Sequence, residues 1–305
     1  MTQRNIYSIA HRCNTPEDVR SAFEEGANAV ECDVIFDKGR FYAQHGPDAK
    51  GTKLISFLQE IKKVADKVKE RFALIIFDLK ETVNRPGLKE VHKLVESLFS
   101  EGTRIKVIYS VSSLSRGSIF KGILPVLDLE EALSIDENDY PRKVQHFFEG
   151  IGIGRSCYGN GITAALPEDF GGPIRESIRK AVLLKMRRRI IKLVYIWTID
   201  LKATMRAYLD LGVDGIMTNH IGSLQEVLRE KKYQSAFRLA TRSDAPFAGE
   251  ALPRYLINER SKTIHDLNNE KGDCHVDRIG SDRRLQAPRL TRQIGFSRCR
   301  KCFPS

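Results

Sequence analysis

The chain has 305 residues, of which 41% are hydrophobic and 29% charged, with a formal net charge of +11. That size and apolar content describe a globular protein with one large core, and no apolar run is long enough to span a membrane. The positive excess favours anionic partners such as phosphates or anionic lipid surfaces.

An apolar run at residues 6–10 predicts a first strand that delivers His11. Thr15 is a candidate helix N-cap, with Asp18 three residues on as the acid of a capping box. Val19, Ala22 and Phe23 then recur at helical spacing until Gly26 stops the helix. A second strand, about residues 28–34, carries Glu31 and Asp33, which are two apart and therefore on one face. Val30, Val34 and Ile35 are apolar, so the strand is expected to be buried and its charges to need partners. The chain turns at Asp37-Lys38-Gly39 and presents His45. Paired carboxylates suit a hard divalent cation, and two histidines suit acid–base work near neutral pH.

Residues 54–68 form an amphipathic helical pattern. Residues 74–79 (LIIFDL) read as a parallel strand covered on both faces, carrying Asp78 and leading to Lys80. A helix at 88–99 and a strand at 105–109 follow, then a Ser-rich turn and a weak helix. Further strands are expected at 123–127, at 151–154 (opening into Gly159-Asn160-Gly161), at 193–199 (LVYIWTI, ending in Asp200) and at 213–218, before Asn219. Helices are expected at 140–148, 174–188, 201–211 (stopped by Gly212) and 223–230. The cations of 185–189 read as a solvated face.

About eight strand–helix units imply an α/β chain folded as a (β/α)₈ TIM barrel. His11, Glu31, Asp33, His45, Asp78, Lys80, Trp197, Asp200 and Asn219 all fall near the carboxyl ends of expected strands, the catalytic face of such a barrel. Residues 1–230 are assigned to the barrel and 231–247 to a tail motif packing on it. Residues 248–305 are assigned to a basic, poorly ordered extension. Residues 251–305 hold 12 Lys and Arg against 6 Asp and Glu, about half of the excess charge. Of the six cysteines, Cys13, Cys32 and Cys157 are scattered singly and show no disulfide-scaffold rhythm. Cys299-x-x-Cys302, with Cys274 and His275 upstream, has the residue types of a metal knuckle but poor spacing, so no zinc site is expected there.

Seven ordered blocks carry a resemblance: IAH at His11, GANAVECDV around Glu31 and Asp33, QHG at His45, FDLK at Asp78 to Lys80, GNGIT at 159–163, YIWTID at 195–200 and GVDGIMTN at 212–219. ATRSDAPF at 240–247 adds a tail motif. Over residues 5–247 the chain resembles the sphingomyelinase D / phospholipase D toxins of spiders and their bacterial and fungal relatives, within the glycerophosphodiester phosphodiesterase superfamily. His11-Arg12-Cys13 and His45-Gly46 match the toxin-like branch, whereas the His-Arg pair and Asn14-Thr15 lean toward ordinary glycerophosphodiesterases. Residues 46–53 contain no cysteine, so the bridged loop usual in the toxins is absent, and Ala245 and Phe247 replace the usual Asn and Trp of the tail.

The resemblance implies Mg²⁺ held by Glu31, Asp33 and Asp78, with His11 and His45 as an acid–base pair. Lys80 is expected to add a cation at the phosphate or to pair with Asp78, and Asn219 to donate to a phosphate oxygen. Trp197 is expected to meet a headgroup or to pack in the barrel, and Tyr195 and Asp200 to orient a histidine or receive the headgroup. The implied reaction is headgroup cleavage from sphingomyelin or lysophospholipids, giving a cyclic phosphate if the lipid's own hydroxyl attacks. The alternative is hydrolysis of deacylated glycerophosphodiesters. The expected partner is a phospholipid at a membrane surface, met by a monomer, with no nucleic acid. The resemblance implies secretion; the chain as written shows no leader, which leaves the cytoplasm as the alternative.

Overall fold

The computed structural model describes residues 3–46, 49, 51–99, 105–136, 141–162, 172–188, 190–248, 255–266, 274, 276, 279, 284–287 and 295–303. The chain divides into one unit of Met1–Val182 with Ile190–Ala248 and a second of Leu183–Arg189 with Gly249–Ser305. Up to residue 248 the elements run β1 (Arg4–Ala10), α1 (Pro16–Glu24), β2 (Ala29–Asp37), β3 (Arg40–Ala43), β4 (Thr52–Lys53), α2 (Leu54–Val68), β5 (Leu74–Leu79), α3 (Arg85–Phe99), β6 (Lys106–Val111), β7 (Glu131–Asp136), α4 (Pro141–Gly150), β8 (Ser156–Gly161), α5 (Gly172–Arg188), β9 (Ile191–Trp197), α6 (Lys202–Leu211), β10 (Gly215–Thr218), α7 (Ile221–Leu228), α8 (Lys231–Ala236) and β11 (Phe237–Leu239).

Strands β1, β2 and β5 to β10 are all parallel, and the pairings of β1 with both β2 and β10 close them into an eight-stranded barrel. The expected (β/α)₈ architecture is therefore the one observed. Strands β3 and β4 form an antiparallel ribbon on β2 that carries the chain toward His45. The barrel interior is a contiguous apolar cluster that includes Ile9, Leu74, Ile76, Ile108, Leu193 and Met217. Above it the inward positions turn polar: Asp33 pairs in register with Asp78, Asp78 with Ser110, and Ser110 with Ser134. In parallel strands such partners share a face, so one ring of polar groups lines the carboxyl end.

Local signals account for most elements. Thr15 and Asp18 form the reciprocal capping box on α1. Gly212 caps α6 in the left-handed conformation, with φ 93°. Helix α2 buries Leu54, Phe57, Leu58, Ile61, Val64 and Ala65 on one stripe.

Two strands lie elsewhere than the sequence suggests. Leu124–Val126 is a 3-10 turn rather than a strand; Pro125 lacks the N–H a barrel strand needs. The strand is β7, whose polar residues disguise it. Their partners are internal: Glu131 accepts from the Tyr109 hydroxyl at 3.0 Å, and the Ser134 and Tyr195 hydroxyls lie 2.9 Å apart. Residues 151–154 likewise leave α4 as a turn, and β8 begins at Ser156. Its Gly159 makes room for neighbours: a Cβ there would lie 2.3 Å from the Asp136 carboxylate and 2.6 Å from the Tyr195 ring.

After α8, β11 adds to the first half of β1. Asn28 donates to the Ala240 carbonyl at 2.8 Å, and Ala240 and Phe247 join the barrel's apolar cluster. Arg242 is buried and donates to the Phe72 carbonyl at 3.2 Å and to that of Ala65. The second unit, expected to be a poorly ordered extension, contains β12 (Tyr255–Asn258), β13 (Thr263–Asp266), β14 (Arg284–Ala287) and β15 (Ser297–Arg298) in one sheet of order β14-β12-β13-β15.

Candidate active site

The carboxyl end of the barrel opens into a cavity of about 310 Å³. His11, Glu31, Asp33, His45, Asp78 and Lys80 line it, with Ile76, Trp197 and Met217 on its apolar side. Seven of the ten residues singled out in the sequence thus meet in one space. Arg12, just past β1, takes a left-handed φ of 54°, which aims its amide at Glu31 Oε2, 2.7 Å away. Asp33 is held on both sides by Asn14, whose Nδ2 donates to Oδ2 at 2.8 Å while its Oδ1 accepts from the Asp33 amide at 2.9 Å.

Carboxylate oxygens of Glu31, Asp33 and Asp78 all lie within 4.8 Å of one another. The Lys80 ammonium bridges two of them, 2.5 Å from Asp33 and 2.5 Å from Asp78. Burial, then the charges of Asp33 and Asp78, push the Glu31 carboxyl well above its usual range. Burial also pushes on Asp33, but the Lys80 charge and hydrogen bonds from Asn14, Lys80 and His45 outweigh it and hold this carboxyl low. Three crowded carboxylates against one lysine leave excess negative charge in a low-dielectric pocket. Hard oxygen donors at this spacing fit a small divalent cation, whose charge would balance the excess.

The two histidines are oriented by different partners. Asp200 accepts from the Asn219 amide and Nδ2 at 2.9 and 2.8 Å and from the Thr218 hydroxyl at 2.9 Å. With Nδ2 so committed, Asn219 presents Oδ1 to His11 Nδ1 at 2.9 Å. An oxygen can only accept, so the His11 proton sits on Nδ1 and the Nε2 lone pair is left for chemistry. Burial lowers the His11 pKa, partly offset by the Asn219 hydrogen bond. His45 Nδ1 lies 3.2 Å from Asp33 Oδ1, which leaves its Nε2 as the free ring nitrogen.

Three residues take roles other than headgroup contact. Asp200 and Asn219 are committed to the relay that orients His11, and neither lines the cavity. Tyr195 is wholly buried beneath it and donates to Asp136 at 2.6 Å. Trp197 lines the cavity and also packs on the barrel's apolar cluster.

Asp136, Ser110 and Asn14 belong to the site and were not singled out by the sequence. Asp136 lies at the end of β7 and lines the cavity. Burial pushes its carboxyl up to about 7, against hydrogen bonds from Tyr195, Ser110 and Ser134. Its signal was an acid closing the run Ala132 to Ile135, hidden because the strand was sought upstream. Asn14 was noted only as half of the Asn14-Thr15 pair, with no role assigned to its side chain.

A profile of the Dermonecrotic toxin SPH family matches residues 1–247. Among curated relatives, Dermonecrotic toxin LspiSicTox-betaIE3i of Loxosceles spinulosa is 31% identical over 276 residues, covering 79% of this chain and 98% of its own. Dermonecrotic toxin LdSicTox-alphaIB3av of Loxosceles deserta is 30% identical over 271 residues, covering 78% and 97%. Among solved structures, a glycerophosphodiester phosphodiesterase from Parabacteroides distasonis superposes with a TM-score of 0.56 at 18% identity, covering 76% of this chain and all of that one. An Oleispira antarctica phosphodiesterase solved with sn-glycerol-3-phosphate gives 0.53 at 14% identity, covering 73% and 96%. At such identities these structures speak for the shared barrel alone. The matches through residue 247 take in the seven sequence blocks and every residue of the cavity: the chain belongs to the dermonecrotic toxin family, a family of phosphodiesterases built on this barrel.

Proposed function

We propose that this barrel cleaves the headgroup from a choline-type phospholipid, sphingomyelin or a lysophospholipid, with Mg²⁺ held by Glu31, Asp33 and Asp78. The observation that carries the reading is the convergence of three carboxylates with two imidazoles that line the same cavity, each with Nδ1 engaged elsewhere. Bound there, the cation supplies charge neutralisation for a phosphodiester. Lys80 adds a second positive charge that is held protonated, because Asp78 and Asp33 outweigh its burial and raise its pKa. His11 Nε2 takes the proton of the attacking hydroxyl, and His45 Nε2 returns one to the leaving alcohol. When the attacking hydroxyl is the lipid's own, the phosphate closes into a ring and the headgroup alcohol leaves; when it is water, a phosphomonoester forms. Asp136 and Trp197 bound the side of the cavity where the headgroup would rest, the indole by cation–π contact with a quaternary ammonium.

Exposed Phe36 and Leu201 favour a lipid over a deacylated diester. Phe36 lies in the last residues of β2, past its pairing with β5, and Leu201 lies four residues after β9, so both are near carboxyl ends of barrel strands, where a membrane-bound substrate would enter. Work at a lipid surface as a secreted monomer, without nucleic acid, belongs to the same proposal. Among the described residues no helix is long and apolar enough to cross a membrane.

The test is choline release from sphingomyelin and lysophosphatidylcholine vesicles and from glycerophosphocholine, with EDTA and with Mg²⁺ restored. The expected result is release from the lipids, abolished by EDTA and recovered with Mg²⁺, with ³¹P NMR giving a cyclic phosphate. Turnover of glycerophosphocholine alone would support the glycerophosphodiesterase alternative, and turnover indifferent to EDTA would contradict the metal assignment.

A further inference from the structure

Outside the barrel, His265, Cys274, Cys299 and Cys302 bring one nitrogen and three sulfurs within 4.8 Å of one another. The family match ends at residue 247, so none of these four residues lies in the matched segment. We propose that the second unit binds one structural Zn²⁺ through His265 Nδ1 and the sulfurs of Cys274, Cys299 and Cys302.

Two of the six edges have the lengths of a tetrahedral zinc site, and the others lie within 4.8 Å. Zinc–sulfur bonds of about 2.3 Å and zinc–nitrogen bonds of about 2.1 Å set sulfur–sulfur edges near ~3.8 Å and sulfur–nitrogen edges near ~3.6 Å. Cys274 Sγ lies 3.9 Å from Cys299 Sγ, and Cys302 Sγ lies 3.6 Å from His265 Nδ1. None of the six cysteines, all described, is joined in a disulfide. The backbone builds the arrangement. β13 pairs with β15, and the Cys299 amide donates to the Ile264 carbonyl at 2.8 Å, which sets Cys299 beside His265. The chain then folds back so that the amides of Lys301 and Cys302 donate to the Cys299 sulfur. Such donors stabilise a thiolate, the form that ligates metal.

The unit also has a physical need for a staple. Among its described residues the buried aliphatic side chains are Leu184, Leu256, Ile257, Ile264 and Val276. A unit of this size rarely holds a fold on so small a core without disulfides or a metal. Three thiolates and one imidazole in a tetrahedron select zinc over harder cations, and the site is closed by four protein ligands, as structural zinc sites are. The sequence pointed to His275 and dismissed the knuckle for its spacing. His275 lies outside the described residues, and the nitrogen comes instead from His265 on β13, 34 residues before Cys299. Binding displaces the three thiol protons to solvent, so zinc affinity rises with pH.

The test uses the full chain, purified reduced, with zinc content measured by mass spectrometry and Co²⁺ as the optical probe. One bound zinc per chain is expected. After exchange, intense tetrahedral d–d bands with thiolate-to-cobalt charge transfer are expected; a cation held by barrel carboxylates gives neither. Cys302→Ser should weaken zinc on the order of a hundredfold or more and remove the charge transfer, whereas Cys157→Ser in the barrel should leave both intact. If Cys302→Ser fails to fold, His265→Cys keeps the test open, because four thiolates retain zinc and strengthen the charge transfer. Absence of zinc from the reduced chain with no thiolate–cobalt spectrum would overturn the proposal. So would a Cys274–Cys299 disulfide in chain alkylated at lysis.

Discussion

The Asp200–Asn219–His11 relay shows how one residue can matter without touching substrate. Asn219 decides which His11 nitrogen holds the proton, and Asp200 decides which way the Asn219 amide faces. The sign of the pH effect follows from the environment of His11. Burial lowers its pKa, so the imidazole stays neutral, and active as a base, to a pH below the ordinary histidine value of 6.5. The acid limb of kcat/KM is therefore expected below pH 6.5, with activity lost as pH falls through it. Asn219→Ala removes a hydrogen bond that raises the His11 pKa, so the limb moves further down while the plateau drops roughly tenfold to a hundredfold. A pH–rate profile of the variant checks both, and an unchanged plateau would make Asn219 a bystander. His11, Glu31, Asp33, His45, Asp78 and Lys80 were legible because adjoining parallel strands deliver charged side chains to one end of a barrel. The division of labour was not: which polar residues face the cavity and which orient others depends on hydrogen bonds between strands far apart in sequence.

At the scale of elements, β7 and β8 show where pattern reading stops. A strand that buries Glu131 and Ser134 and ends in Asp136 does not read as apolar, and one spelled SCYGNG has almost no β propensity. Both are barrel strands because the neighbours supply what they lack: Tyr109 and Tyr195 bond the polar groups, and the Tyr195 ring fills the space over Gly159. Gly159→Ala puts a methyl into the Asp136–Tyr195 contact, an overpacking expected to cost about 1–3 kcal/mol. Urea unfolding is expected to show a lower midpoint at constant slope, and turnover is expected to fall because Asp136 must move. An unchanged midpoint would mean that β8 gives way at no cost. Strands β1, β2, β5, β6, β9 and β10 were visible in advance because each carries an apolar run.

On the scale of the whole molecule, the chain couples a family barrel to a small basic unit with its own sheet. The tail from α8 to Phe247 adds β11 beside β1, and its Ala240 and Phe247 join the barrel's apolar cluster. A chain ending at Ala248 is therefore expected to fold, with a Tm within a few degrees of the parent, and to keep its turnover of a soluble choline diester within about twofold. Binding to anionic vesicles is expected to weaken, because about half of the net charge lies beyond residue 250. Loss of the barrel's thermal transition on truncation would show that the second unit is part of its folding unit. The second unit escaped sequence reading because its strands are two to four residues long and its ligand set is spread over 38 residues.

The central claim is that His11 and His45 work as one base and acid pair across a phosphate. Turnover by His11→Ala, His45→Ala and the double variant, measured with saturating lipid and Mg²⁺, tests it most directly. Each single variant is expected to lose on the order of a hundredfold or more, and the double variant far less than the product of the two losses, because removing either partner already disables the pair. Near-normal turnover in either single variant, or losses that simply multiply, would contradict it.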